Sequence, residues 1–247
     1  MSSEEDSRRT RAAERRERAT DRRERHRARG PARRPLHVDR IVETALRIAD
    51  EEGVDAVSMR RIASELRVGT MSLYHHVADK EELIELMADA TSAELIVPGE
   101  ILGDWREALR AIAHRTRDAF LRHPWLIDTA GTRPLVTPNA LRHVEQSVTV
   151  VVGLDIDRDT AVAMVMATDD YTIGHVFRQS RVAAGQRPFA TDRDRDRVRD
   201  LLASGEFPHL ERIFAAGGEI APPPDTFEAG LEWLFDGMQA VLDARRG

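Results

Sequence analysis

Apolar residues recur along most of the chain at the three- and four-residue spacing that places them on one face of an α-helix. No stretch alternates apolar and polar residues in the manner of a β-strand, and no segment repeats another. The first helical pattern begins after Pro35 and ends at Gly53, and its apolar stripe consists of Ile41, Ala45, Ile48 and Ala49. The pattern therefore predicts an all-α fold.

A second, short helix is indicated between Ser58 and Leu66. Ser58 stands at its N-cap, where a hydroxyl oxygen accepts a hydrogen bond from a free backbone N–H group. Val57 and Ile62 occupy the positions of a hydrophobic staple across this start. Residues 67–69 then form a tight turn that leads into the next helix.

The third predicted helix is very short, and Leu73 and Val77 give it an apolar face. Because each residue advances a helix by about 100°, the residues between them point away from the core. These outward residues are Met71, Ser72 and His75, with Tyr74 and His76 on the flanks. Asp79 and Glu82 resemble a capping box that opens a fourth helix. Two helices joined by a tight turn, the second polar on its outer face, form a helix-turn-helix, whose second helix fits the DNA major groove.

Longer helical patterns follow, separated by polar or Pro- and Gly-containing breaks. The predicted helices cover residues 105–122, 139–152, 161–183, 192–203, 208–215 and 227–245. His123 and Pro124 end the first of them, Asp157 is a suitable N-cap for the third, and a loop over residues 217–224 precedes the last.

The chain has 247 residues, of which 41% are hydrophobic, enough for one small domain and one larger domain. It has no cysteine, which excludes disulfides and thiolate metal sites. Its apolar runs fall far short of the roughly 20 residues of a membrane span, and its N-terminus is densely charged. We therefore expect a soluble cytoplasmic protein with no membrane partner.

The net charge of −6 is unevenly distributed. Residues 1–35 carry 13 arginines against 7 acidic residues, and they show no apolar periodicity, which predicts a disordered Arg-rich tail. Two interpretations of this tail remain open. It either attracts DNA phosphates loosely or is a solvated, partly self-neutralised extension.

Residues 41–83 resemble the DNA-binding domain of the tetracycline-repressor (TetR) family of bacterial regulators. Helix lengths, turn positions, the Leu-Tyr-x-His run and the following Lys80 are all in register. Arg67 stands in the turn where the family often has glycine, so a left-handed backbone is expected there. The resemblance implies a helix-turn-helix DNA-binding domain over residues 36–82 and a helical effector-binding and dimerisation domain over residues 83–247.

The same resemblance implies which residues contact DNA, and their chemistry agrees in part. An arginine can form a forked pair with guanine, a serine or threonine can serve any base, and a methionine can contact a thymine methyl group. The candidates are Ser58, Arg60, Thr70, Met71, Ser72, Tyr74, His75, His76 and Lys80. For Tyr74 the alternative is a structural lid on the first helix. Adjacent His75 and His76 point about 100° apart and have no third ligand at a suitable spacing, so no metal site is predicted.

Two further segments, residues 128–141 and 227–242, resemble the tetracycline-repressor subclass in particular. Positions that match the subclass's metal–tetracycline contacts carry Thr129, Asp170 and Arg178, so the effector is not expected to be magnesium-tetracycline. The candidate effector residues are Trp105, His114, Trp125, Thr129, Met164, Thr168, Asp170, Tyr171 and His175. Asp169 and Asp170 interrupt an apolar pattern, and either a cationic or hydroxyl-rich ligand pairs with them, or nearby arginines or solvent do.

The last helix is more apolar than a helix on a small surface requires, which suggests a homodimer in which it pairs with its copy and with the helix over residues 161–183. The candidate interface residues are Phe177, Leu231, Leu234, Phe235, Met238 and Leu242. A dimer would read a palindromic DNA operator, with half-sites roughly 34–36 Å apart.

The predicted function is that of a ligand-responsive transcriptional repressor: a small-molecule effector binds the helical domain and changes the spacing of the two recognition helices. A ligand-independent or architectural DNA-binding protein, or an activator of the same fold, is the alternative. No Gly-rich phosphate loop, HExxH helix or nucleophile elbow occurs, so neither an enzyme nor a cofactor is predicted.

Overall fold

The computed structural model describes residues 36–99, 101, 103–129, 136–183, 191–215 and 226–246. Within these ranges the chain forms helices and no strand, which confirms the all-α fold. The α-helices are α1 (Val38–Glu52), α2 (Met59–Leu66), α3 (Thr70–Tyr74), α4 (Lys80–Leu95), α5 (Trp105–Arg122), α6 (Trp125–Thr129), α7 (Pro138–Val152), α8 (Arg158–Ala183), α9 (Asp192–Ala203), α10 (Pro208–Ala215) and α11 (Thr226–Arg246). The Arg-rich tail predicted over residues 1–35 and the loop predicted over residues 217–224 lie outside the described residues.

The predicted helix starts of the helix-turn-helix are confirmed by their caps. Ser58 Oγ accepts a hydrogen bond from the Arg61 N–H at 3.2 Å, which starts α2. Asp79 accepts one from the Glu82 N–H at 2.9 Å, which starts α4. Arg67, which ends α2, has φ 54° and ψ 45°, so an arginine adopts the left-handed conformation that the turn requires.

Two salt bridges join α1 to α2 at the surface, Arg47–Glu65 and Arg61–Glu52, and two more lie within the helices. Arg47 pairs with Glu51 and Glu65, and Arg61 pairs with Glu52 and Glu65. Beneath them Ile41, Ile48, Ile62, Leu73 and Val77 are almost completely buried and form the core of the small three-helix unit. Exposed ion pairs contribute little stability individually, so the apolar core supplies most of it.

Helix α4 runs without a break through the predicted domain boundary at residues 82 and 83. Its Leu83, Met87 and Ala88 are buried, and α4 packs against α1 on one side and against α5 and α7 on the other. The DNA-binding unit and the C-terminal helices therefore share this helix.

The C-terminal helices α5, α7, α8 and α11 enclose a second apolar core. Leu231 and Phe235 are fully buried in it, and Leu242 is 4% exposed. These three predicted interface residues pack inside their own chain. Within the described part, no helix is long and apolar enough to cross a membrane.

Helix α11 lies close against the Tyr171 side chain of α8 at Gly230. The Tyr171 hydroxyl donates to the backbone carbonyls of Thr226 and Phe227, at 2.8 and 2.9 Å, in the first turn of α11. A Cβ atom at Gly230 would lie 2.1 Å from the Tyr171 hydroxyl oxygen. Gly230 therefore makes room for the tyrosine that ties α8 to the start of α11.

Substituting Gly230→Ala is expected to lower the free energy of unfolding by about 1–3 kcal/mol, because the Tyr171 ring must move and lose its hydrogen bonds. Urea denaturation measures the change. Gly174→Ala in α8 is the matched control, since a Cβ there meets no atom within 4 Å. Gly174→Ala is expected to raise the free energy of unfolding by roughly 0.5–1 kcal/mol through helix propensity. If both substitutions change the free energy of unfolding in the same direction, the packing explanation for Gly230 is contradicted.

Candidate DNA-binding surface and effector site

The predicted DNA-contacting side chains lie on α2, α3 and the first residue of α4. Met71 is 71% exposed and Tyr74 is 45% exposed, although both are large apolar side chains. Thr70 is half-buried, whereas the following residues are exposed: Arg60, Ser72, His75, His76 and Lys80. Leu73 anchors α3 from below with no exposed surface. The short helix thus presents one side to solvent while its opposite side is fixed in the core.

The cations of this region divide into two groups. Arg47 and Arg61 are paired with glutamates between α1 and α2. Arg60 and Lys80, in contrast, have no carboxylate partner among the described residues and lie at the ends of the exposed surface. Cations without a partner are available to phosphates and to guanine.

Two parts of the predicted surface differ from expectation. The hydroxyl oxygen of Ser58 is occupied by its cap bond, so its role in the structure is to start α2. Helix α3 ends at Tyr74, and His75 and His76 lie in the turn that follows it. In the described residues no group of three His, Cys, Asp or Glu side chains could hold a metal ion.

In the second core, Phe227 lies at the centre of an aromatic cluster between α5, α8 and α11. Its ring stacks on Tyr171 at 5.7 Å between centroids, and His175 and His114 contact it edge-on at 5.1 and 5.5 Å. The Arg117 guanidinium lies 5.0 Å from the centre of the same ring. Three of the predicted effector residues, His114, Tyr171 and His175, are therefore neighbours. Sequence reasoning missed Arg117, which no motif distinguishes.

Unpaired polar atoms are buried around this cluster. Among the described residues, the buried side-chain atoms without a hydrogen-bond partner are Arg115 Nε, Thr116 Oγ1, Arg117 Nε, His143 Nδ1 and His175 Nδ1. They belong to α5, α7 and α8, which pack against one another. Two of these atoms, Arg117 Nε and His175 Nδ1, belong to residues that contact the Phe227 ring.

His143 and His175 favour the neutral form. Burial lowers the pKa of His143, and burial together with the charges of Arg178 and Arg117 lowers the pKa of His175. A neutral imidazole offers one donor and one acceptor. The site is therefore equipped for hydroxyl and carbonyl groups.

The acidic pair on α8 is only partly buried. Burial, with a smaller contribution from the charge of Asp170, raises the pKa of Asp169 to about 6. Asp169 has no ion pair within the described residues, whereas Asp170 is exposed to solvent. The exposure of Asp170 agrees with the alternative that solvent satisfies this carboxylate.

The other predicted effector residues are dispersed. Trp105 packs edge-on against Phe235 in the core, and Thr168 donates to the Met164 carbonyl within α8. Trp125 is 2% exposed and donates to Asp50 of α1, away from the residues that contact Phe227. The side chain of Thr129 lies outside the described part of the chain.

An apolar groove of about 610 Å³ runs along the surface between α8 and α11. Trp233 in this groove is 75% exposed and Val241 is 46% exposed. Of the predicted interface residues, Leu234 and Met238 line the groove, and Phe177 is 43% exposed further along α8.

Comparison with known proteins agrees with this architecture. Residues 41–87 match the model of the tetR family of bacterial regulatory proteins, and residues 97–242 match the tetracyclin repressor-like C-terminal domain. The chain is 36% identical over 230 residues to the HTH-type transcriptional repressor DrrR1 of Streptomyces coeruleorubidus, an alignment that covers 89% of this chain and 84% of that protein. It is 33% identical over 208 residues to an HTH-type transcriptional regulator of Saccharopolyspora erythraea, covering 82% and 84%.

A solved structure of the TetR family protein ActR from Streptomyces coelicolor in complex with actinorhodin superposes with a TM-score of 0.68 and 30% sequence identity, covering 85% of this chain and 99% of that one. The chain therefore belongs to the tetR family of bacterial transcriptional regulators. It is a helix-turn-helix DNA-binding protein and not an enzyme.

Proposed function

We propose that this regulator is a homodimeric repressor that binds an inverted-repeat DNA operator and is released from it by an aromatic small molecule. The observation that carries the proposal is the exposed surface of α2 and α3, where Arg60 and Lys80 lack carboxylate partners although the chain as a whole is acidic. The relative DrrR1 is named a repressor, which favours repression over activation.

Base recognition is assigned to the exposed residues of α3 and to Arg60. Arg60 can form a forked pair with guanine, and Met71 and Tyr74 can contact thymine methyl groups and neighbouring backbone. Lys80, at the start of α4, is positioned by its helix and is assigned to a phosphate, which orients the protein without reading sequence.

The purified chain is expected to select an inverted repeat from a pool of random DNA duplexes, because two copies present two identical readers. Arg60→Ala and Tyr74→Ala are expected to reduce the affinity for the selected fragment by about 1–3 kcal/mol each and to relax preference at the contacted positions. Lys80→Ala should weaken binding to all sequences alike. It should also lower the slope of log affinity against log salt concentration by about one, because one phosphate contact is lost.

Ser58→Ala provides the control. It removes the cap of α2 and is expected to lower the free energy of unfolding by about 1 kcal/mol with no change in base preference. Recovery of fragments without any common sequence would contradict the proposal and favour a ligand-independent, architectural role.

The groove between α8 and α11 is assigned to the second copy of the chain. An exposed tryptophan beside an exposed valine is unusual for a monomer, and apolar patches of this kind mark protein interfaces. Trp233 and Val241 extend from α11 on the side opposite the buried Phe235. The helix is therefore apolar on two sides, one for its own core and one for its partner.

Trp233→Glu is expected to shift the protein from two chains to one in sedimentation velocity, because a carboxylate would be buried in an apolar interface. Val136→Glu is the matched control, since Val136 is 76% exposed but lies outside the groove. A wild-type chain that sediments as a monomer at micromolar concentration would refute the dimer.

The effector site is assigned to the cluster around Phe227. Aromatic rings there can stack on a planar ligand, and the unpaired nitrogen of His175 and the nearby Arg117 can bind its oxygens. The ActR structures with actinorhodin and with (S)-DNPA support a small-molecule effector for this chain.

Actinorhodin and a panel of other aromatic compounds are expected to include a ligand that dissociates the selected DNA fragment in a fluorescence anisotropy assay. His175→Phe keeps the ring and removes its nitrogens, so it should weaken that ligand at least about tenfold, the effect of one hydrogen bond to a buried polar group. Thr168→Val is the control, because Thr168 already donates within its own helix. Equal responses of both variants would place the effector elsewhere.

A further inference from the structure

His123 joins the end of α5 to α1 of the DNA-binding unit and to the last turn of α4, the helix that both units share. Its Nδ1 lies 2.8 Å from Oδ1 of Asp50 on α1, and its Nε2 lies 3.2 Å from Oε1 of Glu94 on α4. The imidazole side chain is only 5% exposed. One buried ring thus contacts carboxylates that belong to two different helices.

Two neighbouring residues reinforce these contacts. Trp125 Nε1 donates to the same Asp50 oxygen at 2.9 Å, and Arg122 forms a salt bridge with Glu94. Carboxylates only accept hydrogen bonds, so both contacts of His123 are hydrogen bonds when both ring nitrogens carry a proton. Charge-assisted bonds of this kind are stronger than neutral ones and specify geometry.

His123 lies at the end of the helix that also carries residues of the aromatic cluster. His114 and Arg117 of the aromatic cluster precede it on the same helix, and His114 lies about 13 Å away along the axis at 1.5 Å per residue. A helix transmits a displacement along its axis as a unit. Movement of α5 at the cluster therefore reaches α1 and α4 through His123.

We propose that His123, held between Asp50 and Glu94, is the positioning residue that fixes the orientation of the helix-turn-helix relative to the effector domain. It contacts neither DNA nor the aromatic cluster. Its part in effector response rests on the proposed function, whereas its part in fixing the orientation does not.

Because the chain has no cysteine, introduced cysteines are the only sites that a thiol-reactive label modifies. The orientation of the two units can therefore be measured in the full chain. Ser64→Cys on α2 and Glu145→Cys on α7 place one exposed label on each unit. Spin labels at these sites, diluted with unlabelled protein so that labels on different chains do not interact, report the distance between the two units by pulsed dipolar spectroscopy. No DNA and no effector is needed.

We call the contacts of His123 with Asp50 and Glu94 the clamp. The chain with an unsubstituted clamp is expected to give one narrow distance distribution. His123→Phe keeps the ring volume but removes both nitrogens, and it should broaden or shift that distribution, as should Asp50→Asn and Glu94→Gln. The double variant His123→Phe/Asp50→Asn should resemble His123→Phe alone, because both changes break the same contact. Asp157→Asn, which loosens the ion pair with Arg245 at the other end of the domain, should leave the distribution unchanged.

Binding provides the second readout. With a DNA fragment selected by the wild-type chain as the probe, the clamp variants should bind roughly 5- to 150-fold more weakly, the range of typical coupling between sites. If His123→Phe fails to fold, the isosteric variants of the partly buried carboxylates still test the proposal. Distributions as narrow as wild type in Asp50→Asn and Glu94→Gln would overturn it, whereas failure to select any DNA sequence would overturn the proposed function and leave the clamp intact.

Discussion

The structure depends on one continuous helix, α4, which belongs to both units. Its first residue is Lys80 beside the recognition helix, its middle buries Leu83 and Met87, and its last turn carries Glu94 in contact with His123. Because a helix satisfies its backbone hydrogen bonds internally, it moves as a rigid rod rather than bending at a linker. Helix α4 therefore connects the position of the DNA-binding surface directly to the helices of the C-terminal domain.

The positions of the charged residues matter more for DNA binding than the net charge of the chain does. With a net charge of −6 the chain would repel DNA if its charges were spread evenly. Ion pairs between α1 and α2 use Arg47 and Arg61 internally, while Arg60, one residue away, has no such partner in the described structure. The glutamates of α1 and α2 thus neutralise Arg47 and Arg61, whereas the charge of Arg60 is left available to DNA.

The features that the sequence predicts correctly are local ones, such as helix starts and helix ends. Caps at Ser58 and Asp79 and the end of α5 at His123 were correct because each depends on residues within one turn. Helix α6 and the clamp were missed because Asp50 and His123 are 73 residues apart, and no periodicity records such a contact. Helix α11 shows a different limit. Its sequence reveals that it is strongly apolar but not which side faces its own core, so buried Phe235 was assigned to an interface and exposed Trp233 was overlooked.

The central claim is that a small, precisely oriented surface reads DNA sequence on an acidic protein. Titration of the full chain with its selected fragment and with a scrambled duplex of equal length, at several salt concentrations, tests it directly. The account predicts about 10³-fold or greater preference for the selected fragment at physiological salt, with a steep loss of affinity for both duplexes as salt rises. Equal affinity for the two duplexes at every salt concentration would contradict it.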